Sequence, residues 1–232
     1  MKRIALIVAG GSGSRIGGPI PKQFLLLNGR PMLMHTIEKF HDISDRVIIV
    51  LPESHSAFWQ QLCIEHQFTL NVTLVFGGVT RAASVKNGLA AIEVDSIVAV
   101  HDAARPLVSK KLIDKLYISA VTNGNAIPVI PVGESMRYVD GETNNVVDRS
   151  QYRLVQTPQC FRTELLVKAF DKTDYQNFTD DASLLQAAGY QVHLEEGEPF
   201  NIKITQANDF LFAEYYIQSI EQNNFKTSTY KN

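Results

Sequence analysis

The residues best equipped for chemistry stand near the amino terminus, in Ala9-Gly10-Gly11-Ser12-Gly13-Ser14-Arg15-Ile16-Gly17-Gly18, closed by Pro21-Lys22-Gln23. Glycines let a backbone approach an anion closely and turn its N–H groups inward. Arg15 and Lys22 add two positive charges, so the loop suits a polyphosphate, where an ordinary strand-to-helix turn would need no cations. Two familiar glycine loops do not fit. A dinucleotide fingerprint counted from Gly11 meets Ile16 at its third glycine, and a P-loop counted from Gly13 meets Gly18-Pro19 where Gly-Lys is required. A second cluster is His101-Asp102-Ala103-Ala104-Arg105-Pro106. Asp102 suits a ribose hydroxyl or a Mg²⁺ near phosphates, or it caps the following turn. His101 reads as a satisfied structural histidine. No Ser/His/Asp or Cys/His set asks to be assembled. That suits a reaction whose nucleophile is itself a phosphate oxygen, where the protein must only hold two anions together and stabilise a pentacoordinate transition state.

These residues need a frame that brings them together. Apolar runs Ile4–Val8, Val47–Leu51, Val72–Phe76, Ile97–Val100 and Ala126–Pro131 read as buried strands. Helices are expected from Pro31 to Phe40, Ser54 to His66, Ser84 to Ile92 and, capped by Ser109, to Thr122. Alternation of strands and helices implies an α/β fold, a doubly wound, mostly parallel Rossmann-like sheet. Gly77-Gly78 and the Asp102 cluster each follow a strand, as the glycine loop does, so all three can face one crevice. The pattern changes near Val132. Ser135–Val139, the Asp140-Gly141 turn and Val146–Asp148 read as a protruding β-hairpin with little core. Such a hairpin packs on a partner subunit, implying a homodimer, or acts as an active-site flap. Further helices are expected from Thr163 to Lys172, Asp180 to Ala188 and Asn208 to Gln222, and late strands at Gln191–Glu195 and Asn201–Thr205. The 232 residues are read as a single domain with an arm at about 132–151.

Composition narrows the partners. Lys and Arg number 22 against 24 Asp and Glu, too balanced for non-specific nucleic-acid binding. No apolar run is long enough for a membrane span, and Met1-Lys2-Arg3 leads into a short strand rather than a signal peptide. The two cysteines, Cys63 and Cys160, lack metal-ligand spacing and suit a reducing cytoplasm.

The glycine loop through Pro21-Lys22-Gln23-Phe24, the His101–Pro106 run, Val147-Asp148-Arg149, Gln156-Thr157-Pro158-Gln159, Thr179-Asp180-Asp181-Ala182-Ser183 and Asn201-Ile202-Lys203-Ile204-Thr205 occur in the order that resembles the 2-C-methyl-D-erythritol 4-phosphate cytidylyltransferases. The resemblance runs over nearly the whole chain. It implies a nucleotidyltransferase that passes CMP from CTP to a sugar-alcohol phosphate, with Mg²⁺ or another divalent cation, in the non-mevalonate route to isoprenoid precursors. Arg15 and Lys22 would stabilise charge on the CTP phosphates, and Arg149 and Lys203 would hold the methylerythritol phosphate. Ala9, Gly10, Gly11, Gly13, Gly78, Ser84, Asp102 and Ala103 would contact CTP, and Arg105, Ser135, Thr157 and Thr179 would line the substrate side. Asp102 is the expected metal ligand. The arm would place Ser135 and Arg149 in the partner's site. The chain departs from the family where Val79 replaces an acidic residue after Gly-Gly, Ser135 a threonine, Asp181 a glutamate, and Phe200 a smaller or polar residue.

Three other functions compete. Ribitol-5-phosphate cytidylyltransferase shares the chemistry, but Ala104 and Val147-Asp148-Arg149 favour methylerythritol phosphate. An NAD-linked dehydrogenase is disfavoured by Ile16. A nucleotide-binding protein without catalysis would not need Arg15, Lys22, Arg149 and Lys203 together.

Overall fold

The computed structural model describes residues 1–10, 20–93, 95–175 and 178–229. The chain runs β1 (Lys2–Val8), β2 (Leu26–Leu27), β3 (Arg30–Pro31), α1 (Met32–His41), β4 (Arg46–Leu51), α2 (Ser56–Glu65), β5 (Thr73–Phe76), α3 (Arg81–Leu89), β6 (Ser96–Asp102), α4 (Lys110–Asn123) and β7 (Asn125–Pro131). It continues through β8 (Met136–Asp140), β9 (Thr143–Val147), β10 (Arg153–Val155), β11 (Gln159–Arg162), α5 (Thr163–Lys172), α6 (Asp181–Ala187), β12 (Leu194–Glu196) and α7 (Ala207–Thr229).

The apolar runs are continuous because both faces of the sheet are buried. Successive side chains of a strand point to opposite faces. Ala5, Ile7, Ile49 and Ala99 enter a core shared with α1 and α4, while Leu6, Val8, Val50 and Val98 enter one shared with α3, α5 and α6. The result is an α/β/α sandwich around a mostly parallel sheet. Its order is β10-β7-β11-β6-β1-β4-β5, with β12 also paired to β7. β1, β4, β5 and β6 are parallel to one another. β11 lies antiparallel between β6 and β7, and β10 lies antiparallel on β7.

Local signals act where expected. Asn28 and Gly29 take positive φ at the β2–β3 turn. Ser109 accepts the Leu112 N–H at the start of α4, and Gly124 ends that helix in the left-handed region. Several expectations change: the last helix runs on to Thr229 rather than Gln222, the late strand is Leu194–Glu196 rather than Gln191–Glu195, and α3 ends at Leu89 rather than Ile92. α3 begins at Arg81 rather than Ser84, because the Thr80 hydroxyl accepts the Ala83 N–H and caps it. Asn201–Thr205 is not a strand. Its carbonyls are taken instead by side chains, Asn201 O by Arg105 and Ile204 O by Lys22, while Ile204 N–H donates to Ala104 O. The arm, β8 paired with β9 as a two-stranded sheet, stands apart from the main sheet. It exposes Tyr138, Val139 and Val146, the last 79% accessible.

Candidate active site

The chain leaves β1 toward β4 and β5 on one side, then returns to place β6 on the other. That reversal makes a crevice above the carboxyl ends of β1 and β6, the position where open α/β sheets bind ligands. Val8 and Asp102 are register partners there. Strand-like pairing continues one residue further, with Ala9 N–H donating to Val50 O (2.9 Å) and Ala103 N–H to Val8 O (3.0 Å). The buried Gln23 amide donates to Ala9 O at 2.8 Å, tying the turn after the glycine loop to the residue before it. Its neighbour Lys22 reaches Ile204 O at 3.2 Å. Above these groups opens a cleft of about 190 Å³.

One wall is the Gly77–Thr80 loop. Ser84 Oγ accepts the Gly78 N–H (3.1 Å) and donates to Thr80 O (2.9 Å), so the hydroxyl braces the loop from beneath. A Cβ on Gly77 would meet Ser84 Oγ at 2.8 Å, and one on Gly78 would meet Ala83 Cβ at 2.5 Å. Close approach of loop and helix therefore demands both glycines. Val79 is 97% exposed at the tip.

The floor is charged. Asp102 Oδ1 accepts from Arg81 Nε at 3.1 Å, and Oδ2 pairs with Lys203 Nζ at 2.7 Å. Arg81 Nη2 reaches on to Asp181 Oδ2 at 2.9 Å. Burial opposes the charged form of Asp102, but Arg81 and Lys203 outweigh it and hold the carboxyl far below the usual range. Burial likewise opposes the Arg81 charge, and Asp181 and Asp102 restore it. Behind the floor, Asp102 N–H donates to Thr157 Oγ1, whose hydroxyl faces His101 Nδ1 at 3.1 Å. His101 Nε2 stands 3.1 Å from Arg105 O, which can only accept, so the proton lies on Nε2 and Nδ1 accepts from Thr157. Burial pushes this imidazole down to about 3. His101 is thus a neutral, satisfied structural group, as its sequence context suggests.

The structure brings Ala9, Gly10, Lys22, Gly78, Ser84, Asp102, Ala103 and Lys203 to one cleft. Gly11, Gly13 and Arg15 lie outside the described residues. Thr157 is buried behind Asp102, with its hydroxyl engaged on both sides. Arg105 Nη1 donates to Asn201 O at 2.7 Å, bracing the segment that carries Lys203. Thr179 stands just before α6. Ser135 and Arg149 are exposed on the arm side and do not line their own chain's cleft; Arg149 donates to Gly133 O instead. Sequence reading gave no role to Arg81 or Asp181. The signal available for Arg81 was its place directly after the Gly-Gly loop.

A metal cage of protein ligands is absent among the described residues, where no group of three His, Cys, Asp or Glu side chains converges. Among those residues Asp102 is the single carboxylate lining the cleft. That donor set fits Mg²⁺, which binds through one or two carboxylates plus substrate phosphates. No helix among the described residues is long and apolar enough to cross a membrane.

A mostly parallel sheet whose β1–β6 reversal opens a cleft with cations flanking one carboxylate has the architecture of an α/β nucleotidyltransferase. Residues 3–219 match the family model of 2-C-methyl-D-erythritol 4-phosphate cytidylyltransferase, and the chain belongs to that family. The Bacteroides thetaiotaomicron enzyme of that name is 46% identical over 211 residues, 90% of this chain and 96% of that one. The Phocaeicola vulgatus enzyme is 46% identical over 219 residues, 94% of this chain and 100% of that one. The crystal structure of the Thermus thermophilus enzyme superposes with a TM-score of 0.80 at 37% identity, covering 94% of this chain and 100% of that one.

Proposed function

We propose that this protein transfers CMP from CTP to 2-C-methyl-D-erythritol 4-phosphate and releases pyrophosphate, a step toward isoprenoid precursors. The observation that carries this reading is the cleft at the β1–β6 reversal. It brings Lys22 to the same cleft as Asp102, whose carboxylate Arg81 and Lys203 flank, in a chain of this family. A phosphate oxygen of the sugar phosphate attacks the α-phosphorus of CTP, a new P–O bond forms, and the α–β bridging bond breaks. No general base is required, because the nucleophile is already anionic. The chain's contribution is positioning and charge. Lys22 and Arg15 bind the charge that gathers on the triphosphate in the transition state. Lys203 holds the sugar phosphate. Gly78, Ser84 and Ala103 shape the nucleoside wall. Mg²⁺ bound to the phosphates and Asp102 would supply further neutralisation of the triphosphate.

The active unit in this reading is a homodimer. The arm exposes an apolar strip without a core of its own, and Ser135 and Arg149 stand away from the cleft of their own chain. Crossing to the partner would cover the first and employ the second. We place the enzyme in the cytoplasm, consistent with Cys63 and Cys160 as free thiols.

The test is pyrophosphate release with CTP, Mg²⁺ and either methylerythritol phosphate or ribitol 5-phosphate. Turnover with the first is expected. Faster turnover of ribitol 5-phosphate refutes the substrate.

A further inference from the structure

Four side chains of alternating charge cross the cleft floor: Asp181, Arg81, Asp102 and Lys203. Each contact is direct, at 2.9, 3.1 and 2.7 Å in turn. They come from the start of α6, the start of α3, the end of β6 and the segment after β12. The far end is anchored, since Gln159 on β11 accepts both the Asp181 and the Ala182 N–H through Oε1 (3.1 and 2.9 Å). The Asp181 side chain is only 2% exposed and has no freedom to follow a moving partner. The near end is open by comparison, with the Lys203 side chain 41% exposed.

A buried ion pair is weak evidence for stability, because well-packed apolar side chains commonly do as well. What this row supplies is direction. The planar guanidinium donates along fixed vectors. With Nη2 committed to Asp181, Nε reaches Asp102 Oδ1 alone and leaves Oδ2 facing Lys203.

We propose that Arg81, clamped by Asp181, is a positioning residue that orients the Asp102 carboxylate and so sets where the Lys203 ammonium stands when the sugar phosphate arrives. The proposal rests on the reading that Lys203 meets that phosphate. Without Arg81, the carboxylate can rotate and carry Lys203 with it. The nucleoside wall would stay in place, because Thr80 and Ser84 brace it independently.

The experiment is steady-state kinetics with both substrates varied on Arg81→Gln, Arg81→Lys and Asp181→Asn, with crystal structures of the variants. Misplacing a binding group by about an ångström costs on the order of 10²-fold, so Arg81→Gln should lose about that factor in kcat/KM for methylerythritol phosphate, with a smaller rise in the KM for CTP through the Mg²⁺ that Asp102 would hold. Arg81→Lys should recover part of the loss, since an ammonium keeps the charge but lacks the planar fork that fixes the direction of each contact. Asp181→Asn should give a smaller loss in the same substrate. A rise in the CTP KM alone would make Arg81 a nucleotide ligand and overturn the proposal, as would unchanged kinetics. Should Arg81→Gln fail to fold, the other two variants carry the same test. The structures decide between causes: Asp102 unmoved, with Lys203 still at 2.7 Å, in any variant that has lost turnover of methylerythritol phosphate refutes the idea. Wild-type protein inactive toward methylerythritol phosphate would instead refute the assigned substrate.

Discussion

Replacing His101 with Gln should flatten the loss of stability between about pH 7 and about pH 5. The ring is fully buried and its Nε2–H is committed to Arg105 O, so an added proton on Nδ1 would end the hydrogen bond that the Thr157 hydroxyl donates to it. Burial holds the folded imidazole at about 3 against 6.5 for the free group. Between those values the unfolded chain binds the extra proton and the folded one does not, so stability falls as pH falls. At about pH 5 the unfolded imidazole is almost wholly protonated, and integrating the difference gives a loss of about 2 kcal/mol relative to alkaline solution. Urea unfolding followed by Trp59, the single tryptophan, measures this at fixed protein concentration. His35, also shifted down by burial, is common to both proteins and cancels in the comparison. Loss of packing against Phe40, 4.8 Å between ring centres, will lower the variant's stability at every pH, so the slope is the readout. If both proteins lose the same stability from about pH 7 to about pH 5, His101 is not kept neutral and the reasoning fails.

Lys22→Ala should lower kcat by about 10²–10³ with a smaller change in CTP affinity, as expected for a charge partner of the transition state; near-normal kcat with weak CTP binding would make Lys22 a ground-state clamp. Gly78→Ala should push α3 away from its loop, because the new methyl would meet Ala83 Cβ at 2.5 Å. The expected cost is about 1–3 kcal/mol in unfolding free energy, together with a raised CTP KM. An unchanged Tm and KM would show that the loop gives way freely. Removing residues 135–148 should abolish dimerisation and activity together, checked by sedimentation and pyrophosphate release; an active monomer would refute the shared site.

The layered sheet was legible because β1, β4, β6 and β7 bury both faces and so read as unbroken apolar runs. Caps and turns at Ser109, Asn28-Gly29 and Gly124 act locally, and local chemistry is what a sequence displays. β10 and β11 were missed. Gln159-Cys160-Phe161-Arg162 is a short strand, and its pairing to β6 and β7 is decided by partners far away in the chain. Asn201–Thr205 has the composition of a strand, yet tertiary hydrogen bonds claim its backbone. Within the cleft, Gly10, Gly78 and Lys22 were each singled out in the sequence by residue type, and Lys203 by the family resemblance. Arg81 was not, because its importance lies in two carboxylates, one 21 and one 100 positions away.

The stretch bearing Lys203 reaches the end of β6 from far along the chain; Arg105 and Asn201, which join the two, are 96 positions apart. On the ribosome, β1, β4, β5 and β6 are therefore complete before Lys203 is made. Asp102 then has Arg81 as its neighbour and no ammonium opposite. A polypeptide terminated before residue 181 has neither the ammonium that faces Asp102 nor the second carboxylate that holds Arg81.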